Sequence, residues 1–473
     1  MVLEATNLNE RIELFDSFYD ENRRLQYEVV PRLYNQSIGP VTAVSIHRPK
    51  LLDLSMYGTS CRHSPVGRLL GDLVGKSPLW DSVAIPIGGK GPTMKQAFLG
   101  NMGEACERIL AALQTRLLRD RAEFGTYDEL KARGLPALPP GELPLFAVEQ
   151  YAKEEFPFAP FTEDTPVAWL QGKRLFAAQD VYVPAQLVAF HWCAFPQEAR
   201  IGYATSGGLV FHTNFRQAVL HGIYENVERD AINLSWYCKL PPAVVDIDLV
   251  EFLKNNTEQS APRMMTPYIQ KARVLLNTLD IPLPVFTVMT FDKSRDGRAL
   301  LAGGGGWGKP DRALIQAVFE IGQAQIGYAL TPHAWDHIRP DSQLSDLTDF
   351  YYALIYYGFK ENLSLLSWYA DGPARVAWDQ VPSISGSDLN GEYDAVRELL
   401  LQRNIDPILF DFSDSCWPDA HLIKVFMPQL THAHLPSHGY FGHPRYYDVP
   451  MQLGLKHGRL TYDELNRLPL PFP

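Results

Sequence analysis

At 473 residues, 46% of them hydrophobic, the chain is long enough to bury a large core, and its five cysteines, without a C-x-x-C spacing, give neither a disulfide framework nor a zinc ribbon. A net charge of −11 with no basic run argues against an electrostatic grip on nucleic acid; a bound polyphosphate would need metal ions to screen it. With no signal-like start and no apolar run of membrane-spanning length, the expected location is the cytoplasm.

Residues 1 to about 45 read as polar and helical, and 1–54 as an N-terminal arm for packing or partner docking. Residues 51–74 mix short apolar runs with polar loops. The glycine-bearing stretch IGGKGPT (87–93) is read as a loop, and it opens a helix in MKQAFLGNMGEACERI (94–109). Proline-dense 133–166 predicts a surface excursion, and VYVPAQLVAFHW (181–192) a buried strand. A second glycine loop, ATSGGLVFHTN (204–214), precedes the helix FRQAVLHGIYENVERD (215–230). Residues 248–256 read as a helix and 282–292 as a buried strand, before a third glycine stretch, AGGGGWGKP (302–310), and RALIQAVFEIGQAQ (312–325). Residues 345–402 hold helical patterns rich in Tyr and Leu, and 406–414 and 421–428 read as late strands. The result is a mixed α/β fold, one large body with internal pseudo-repeats of strand, Gly-rich loop and Glu-bearing helix.

The repeats match in register. Lys95, Gln96, Ala97, Glu104, Glu107 and Arg108 correspond to Arg216, Gln217, Ala218, Glu225, Glu228 and Arg229, and in the third copy Ala313 keeps its distance to Glu320, with Gln323 in place of the second glutamate. Thr93 with Gln96 and Asn214 with Gln217 have capping-box spacing, and Pro310 suits a first helical turn. In each of the first two copies both glutamates share a helix face, and the arginine four residues after the first can brace it. Because Glu104 stands roughly 15 Å along its helix from the preceding loop, carboxylates and loops serving one ligand must come from different repeats. Paired glutamates, glycine loops and Lys90 together point to a magnesium nucleotide. The competing reading is a solvated face with an internal ion pair, which two register-matched copies disfavour.

These residues resemble the YcaO family. Its first signature is matched by Asn101, where serine is usual, with Glu104, Glu107 and Arg108; its second by His221, Glu225, Glu228, Arg229 and Asp230; its third by Glu320 and Gln323. The likeness runs from about residue 60 to the C-terminus, which implies a YcaO catalytic domain over 55–473. It implies ATP contacts at Lys90, Asn101, Glu104, Arg108, His221, Glu225, Arg229, Glu320 and Gln323, and Mg2+ on Glu104, Glu107, Glu225, Glu228 and Glu320. The implied reaction is a cyclodehydration in which ATP activates backbone amides of a ribosomally made precursor peptide, so that Cys, Ser or Thr becomes a thiazoline or oxazoline. The end LPLPFP (468–473) resembles the P-x-P-x-P tail of azoline-forming members, which adds Pro473 to Glu104 and Glu225 as catalytic groups. Implied partners are a leader-peptide-binding protein related to ubiquitin-activating enzymes and a flavin-dependent dehydrogenase, with a homodimer inside the complex as one arrangement.

Rival readings are a thioamide- or amidine-forming relative, an inactive scaffold subunit, and a di-metal oxidase, which lacks its E-x-x-H pairs here. His432, His434, His438 and His443 lie close together without a familiar zinc spacing. For Arg445 a structural ion pair is weighed against a phosphate contact, and for Trp307 packing against stacking on a base.

Overall fold

The computed structural model describes residues 34, 41–49, 54–63, 87–292, 299–330, 334–343, 346–347, 350–384, 386–413 and 420–471. The chain separates into two compact units. The first comprises 1–138, 163–222 and 408–426, and the second 139–162, 223–407 and 427–473. Its strands in chain order are β1 (Val41–His47), β2 (Tyr57–His63), β3 (Gly88–Gly91), β4 (Glu123–Gly125), β5 (Val167–Arg174), β6 (Asp180–Pro184), β7 (Leu209–His212), β8 (Ala243–Asp246), β9 (Arg273–Leu276), β10 (Val285–Phe291), β11 (Leu300–Gly306), β12 (Arg375–Ala377), β13 (Ile408–Asp411) and β14 (His421–Phe426).

The first unit holds a small antiparallel sheet, β1-β2-β3, and a larger one in the order β4-β5-β13-β14-β7, with β6 also paired to β5. The helix Met94–Arg121 packs on β2 and β3 and touches β7 and β14. It opens as expected: Thr93 and Gln96 form a complete capping box. The second unit has one sheet, β11-β10-β9-β8-β12, antiparallel except where β12 runs beside β8. The helix Pro310–Leu330 lies against β10 and β11, starting on the proline that its sequence placed in the first turn. The helix Phe215–Tyr237 begins under the Asn214 side chain, which accepts from the Gln217 N–H at 3.1 Å, and the division between the units falls within it.

Two of the three glycine stretches are strands, not loops: 88–91 is β3 and 303–306 ends β11. Their glycines let a helix lie directly on the strand backbone. A Cβ on Gly89 would stand 1.9 Å from the Ala97 carbonyl oxygen, and one on Gly305 2.3 Å from that of Ala313, eight residues on in both cases. The stretch 181–192 also departs from expectation, because Pro184 ends β6 and the helical turn Ala185–Val188 follows. Proline-dense 133–166 lies largely at the surface as expected, anchored by Phe146 and Phe158, which are buried and stacked with Tyr440 and His438 against them. Leu249–Asn256 behind its Asp248 cap, β10, β13 and β14 stand where the sequence places them, whereas β5, β8, β9 and the helices Ser260–Ile269 and Arg445–Gln452 have no counterpart in the sequence reading, and β12 interrupts the stretch expected to be helical. The expected helical character of residues 1 to about 45 falls largely outside the described residues, and β1 supplies the arm's described strand.

Gly89→Ala and Gly305→Ala are each expected to cost about 2 kcal/mol or more, since the opposing atoms are backbone and cannot rotate away. Gly103→Ala, on the open side of the helix Met94–Arg121, should cost nothing and gain up to ~1 kcal/mol. Thermal melts of the three variants check this contrast.

Candidate functional site

In the first unit Glu104 is half-buried and doubly held. It accepts the Gly88 N–H at 2.8 Å and pairs with Arg108, one turn on, at 2.7 Å. The brace predicted from i,i+4 spacing is therefore present, but the inference that one repeat cannot bring its strand and its carboxylate together is corrected. The strand runs back along its own helix, so the far end of β3 reaches Glu104. Glu104 also helps burial push the Cys61 thiol up to about 12. Glu107 is half-buried beside Cys106, and Lys90 stands half-buried on β3 opposite Gly58. Asn101 is 0% exposed, and neither Oδ1 nor Nδ2 has a hydrogen-bond partner. An orphaned amide of this kind costs ~1–3 kcal/mol and is a group that a bound polar atom or water satisfies. His221, half-buried, packs edge-on against His212, ring centroids 5.4 Å apart.

In the second unit the carboxylates are closer to one another. Glu228 is only 4% exposed, and burial pushes its carboxyl up to about 7. Arg229, 3.9 Å away, and the Gly306 N–H pull it down, while Glu225 and Glu320 push it further up. Glu225, Glu320 and Gln323 are half-buried. A Cβ on Gly306 would stand 2.8 Å from the Glu228 Cβ, so the glycine is what admits this side chain. Here the second repeat's helix meets the third repeat's glycine strand, as a shared ligand requires, and Glu228 is no solvated face. Among the described residues no group of three His, Cys, Asp or Glu side chains is preassembled as a metal cage. A buried carboxylate raised by two like charges is a group that a divalent cation relieves.

A family profile described as YcaO cyclodehydratase, ATP- and Mg2+-binding, matches residues 88–431. The chain belongs to the YcaO family. ATP and Mg2+ are accordingly its cofactors. No protein of curated function matches it in sequence. Among solved structures it is similar to a heterocyclase in complex with substrate and cofactor (TM-score 0.72, 23% identity, 95% of this chain and 57% of that one). It is also similar to the YcaO protein of Methanopyrus kandleri bound with AMPPCP and Mg2+ (0.56, 16%, 91% and 93%). A third is the E. coli microcin synthetase McbBCD complex with pro-MccB17 bound (0.57, 15%, 93% and 98%). The chain spans little more than half the length of the first of these. At these identities the likeness carries the fold, a mixed α/β YcaO architecture.

Several polar residues around the YcaO carboxylates have structural work. Arg445 is committed to the buried Asp230 and the half-buried Asp280, with Nη2 2.6 Å from the first and 2.8 Å from the second, so the ion-pair reading holds and the phosphate reading does not. Trp307 packs on Tyr224 and lies under Arg312. Sequence reading missed Glu392, which accepts a hydrogen bond from the Tyr224 hydroxyl across 168 residues of chain, and Lys309, whose Nζ is bound to the Ile384 carbonyl. No local signal could have joined these partners. Pro473 lies outside the described residues. No helix among the described residues is long and apolar enough to cross a membrane.

The histidine-rich segment is core. His434 and His443 are buried and face the carbonyls of Leu435 and Pro428 at 3.2 and 3.1 Å, and burial pulls both down to about 4. Each folded-state value lies below the unfolded 6.5, so their stabilising effect is complete above about pH 6.5 and is lost as pH falls toward 4. Stability is expected to fall over that window by on the order of 3 kcal/mol per histidine, and the melting temperature with it. A His434→Gln, His443→Gln double variant should give a flatter pH profile in the same melts.

Proposed function

We propose that this YcaO chain is an ATP- and Mg2+-dependent cyclodehydratase, which removes one water between a Cys, Ser or Thr side chain and the preceding amide carbonyl of a ribosomally made peptide. The observation that carries the reading is the buried Glu228 carboxyl, flanked by Glu225 and Glu320 and held by the Gly306 N–H, in a member of a family that binds ATP and Mg2+. ATP and Mg2+ supply, when bound, the phosphoryl group and the charge neutralisation that make an amide oxygen able to leave as phosphate.

The chain's own residues position these groups. Glu225, Glu228 and Glu320 are the Mg2+ ligands of the second unit, and Glu104 and Glu107 those of the first. Arg108 fixes the Glu104 carboxylate, and Arg229 offsets the negative charge around Glu228. Lys90, Asn101, His221 and Gln323 complete the ATP contacts, Asn101 through the amide that lacks a partner within the protein. Glu104 and Glu225 are the groups on which turnover depends, with the proline segment ending at Pro473 completing the site. The chain works in the cytoplasm beside a leader-binding partner and a flavin-dependent dehydrogenase. The likeness to a microcin synthetase complex supports a multi-protein, peptide-modifying setting.

Mass spectrometry of a candidate precursor rich in Cys, Ser and Thr, incubated with the chain, its partners, ATP and Mg2+, tests the reading. Loss of one water per ring is expected, falling at least about a hundredfold in Glu104→Gln or Glu225→Gln. Near-normal turnover in either variant rejects the assignment, and exchange of oxygen for sulfur identifies a thioamide-forming enzyme instead.

A further inference from the structure

The segment 466–471 is bound, not loose, and the manner of its binding follows from its composition. Proline has no N–H, so a proline-rich strand can be gripped mainly through its carbonyl oxygens. In the second unit two side chains do this. The Trp236 indole N–H donates to the Leu468 carbonyl at 2.8 Å, and the Tyr357 hydroxyl to the Pro469 carbonyl at 2.8 Å. Both donors are 0% exposed, and their rings meet edge to face with centroids 6.3 Å apart. Burial pushes the Tyr357 hydroxyl well above the ordinary tyrosine range, so it remains a donor.

A third residue closes the arrangement from the other side. Asn466 donates its backbone N–H to the Tyr237 carbonyl at 2.7 Å and its Nδ2 to the Trp236 carbonyl at 3.3 Å, while its Oδ1 accepts the Leu468 N–H at 3.2 Å. It therefore caps the last turn of the helix Phe215–Tyr237 from a distance of more than two hundred residues. That helix carries Glu225 and Glu228, the latter two turns before Trp236, roughly 12 Å along the axis.

We propose that Trp236 and Tyr357 are positioning residues, a two-point clamp that fixes the proline segment 468–471 relative to the carboxylate-bearing helix and thereby sets the rate of turnover. This rests on the cyclodehydratase reading for its effect on rate, and on the hydrogen bonds alone for the clamp. The clamp removes freedom from a segment with few donors of its own, and its loss leaves the carboxylates and the ATP contacts in place.

The test uses Trp236→Phe, Tyr357→Phe and the double variant in the full chain, each retaining an aromatic ring and losing its donor. Hydrogen exchange of the Leu468 and Leu470 amides is expected to quicken at least tenfold in the double variant, with exchange in residues 218–232 unchanged. With partners, ATP, Mg2+ and a Cys-, Ser- and Thr-rich precursor, kcat should fall about tenfold while the KM for ATP stays the same. Unchanged exchange at 468 and 470 overturns the clamp. Faster exchange with an unaltered kcat overturns its role in turnover, as does a matched loss in exchange protection at 218–232, which marks a merely structural contact. If the wild-type complex removes no water from peptide, the cyclodehydratase reading and the rate effect both fall, and the exchange comparison still decides the clamp.

Discussion

A carboxylic acid placed almost entirely out of water, with two further carboxylates close enough to raise its proton affinity, is the constraint that the second unit is arranged around. Glu228 costs the empty fold stability, because burial and like charge both disfavour its ionised form. One backbone donor, from Gly306, and one nearby guanidinium, from Arg229, offset part of that cost. What remains is an affinity for positive charge, held in a rigid place between a helix and the edge strand β11. Protonation relieves that cost at low pH, and under the proposed function a divalent cation would relieve it near neutrality.

Glycine makes this geometry possible. A helix on a sheet normally stands off by the length of its side chains, whereas here β3 and β11 are bare enough for helix carbonyls to approach their backbones directly. That contact brings Gly88 to Glu104 in the first unit, while in the second Gly306 reaches Glu228 on the helix of a different repeat, each glycine as a backbone donor to a carboxylate. The first arrangement thus comes from a glycine strand and the capped helix that follows it, the second from the glycine strand of one repeat and the helix of another.

How much of this was legible in the sequence depended on whether the signal was local. The helices, the Thr93 and Asn214 caps and the Glu104 to Arg108 brace all follow from spacings of three and four residues, and all are present. The glycine strands were misread as loops because glycine is a poor strand former, and only the opposing helix, far along in sequence, explains its use. The turn residues of proline-dense 133–166 give its surface course but not its anchor, since Phe146 meets Tyr440 nearly three hundred residues away. The Arg445 pair with Asp230 and Asp280 and the Tyr224 contact with Glu392 are likewise long-range, beyond the reach of periodicity or capping rules.

Calorimetric titration of ATP into the full chain, with and without Mg2+, for wild type and Glu228→Gln, addresses the cation-seeking carboxylate most directly. The account predicts that wild-type binding requires Mg2+ and that the amide variant binds Mg2+-ATP at least about tenfold more weakly, a change of about 1.4 kcal/mol. Equal affinity in the two proteins, or tight wild-type binding in the absence of divalent cations, would contradict it.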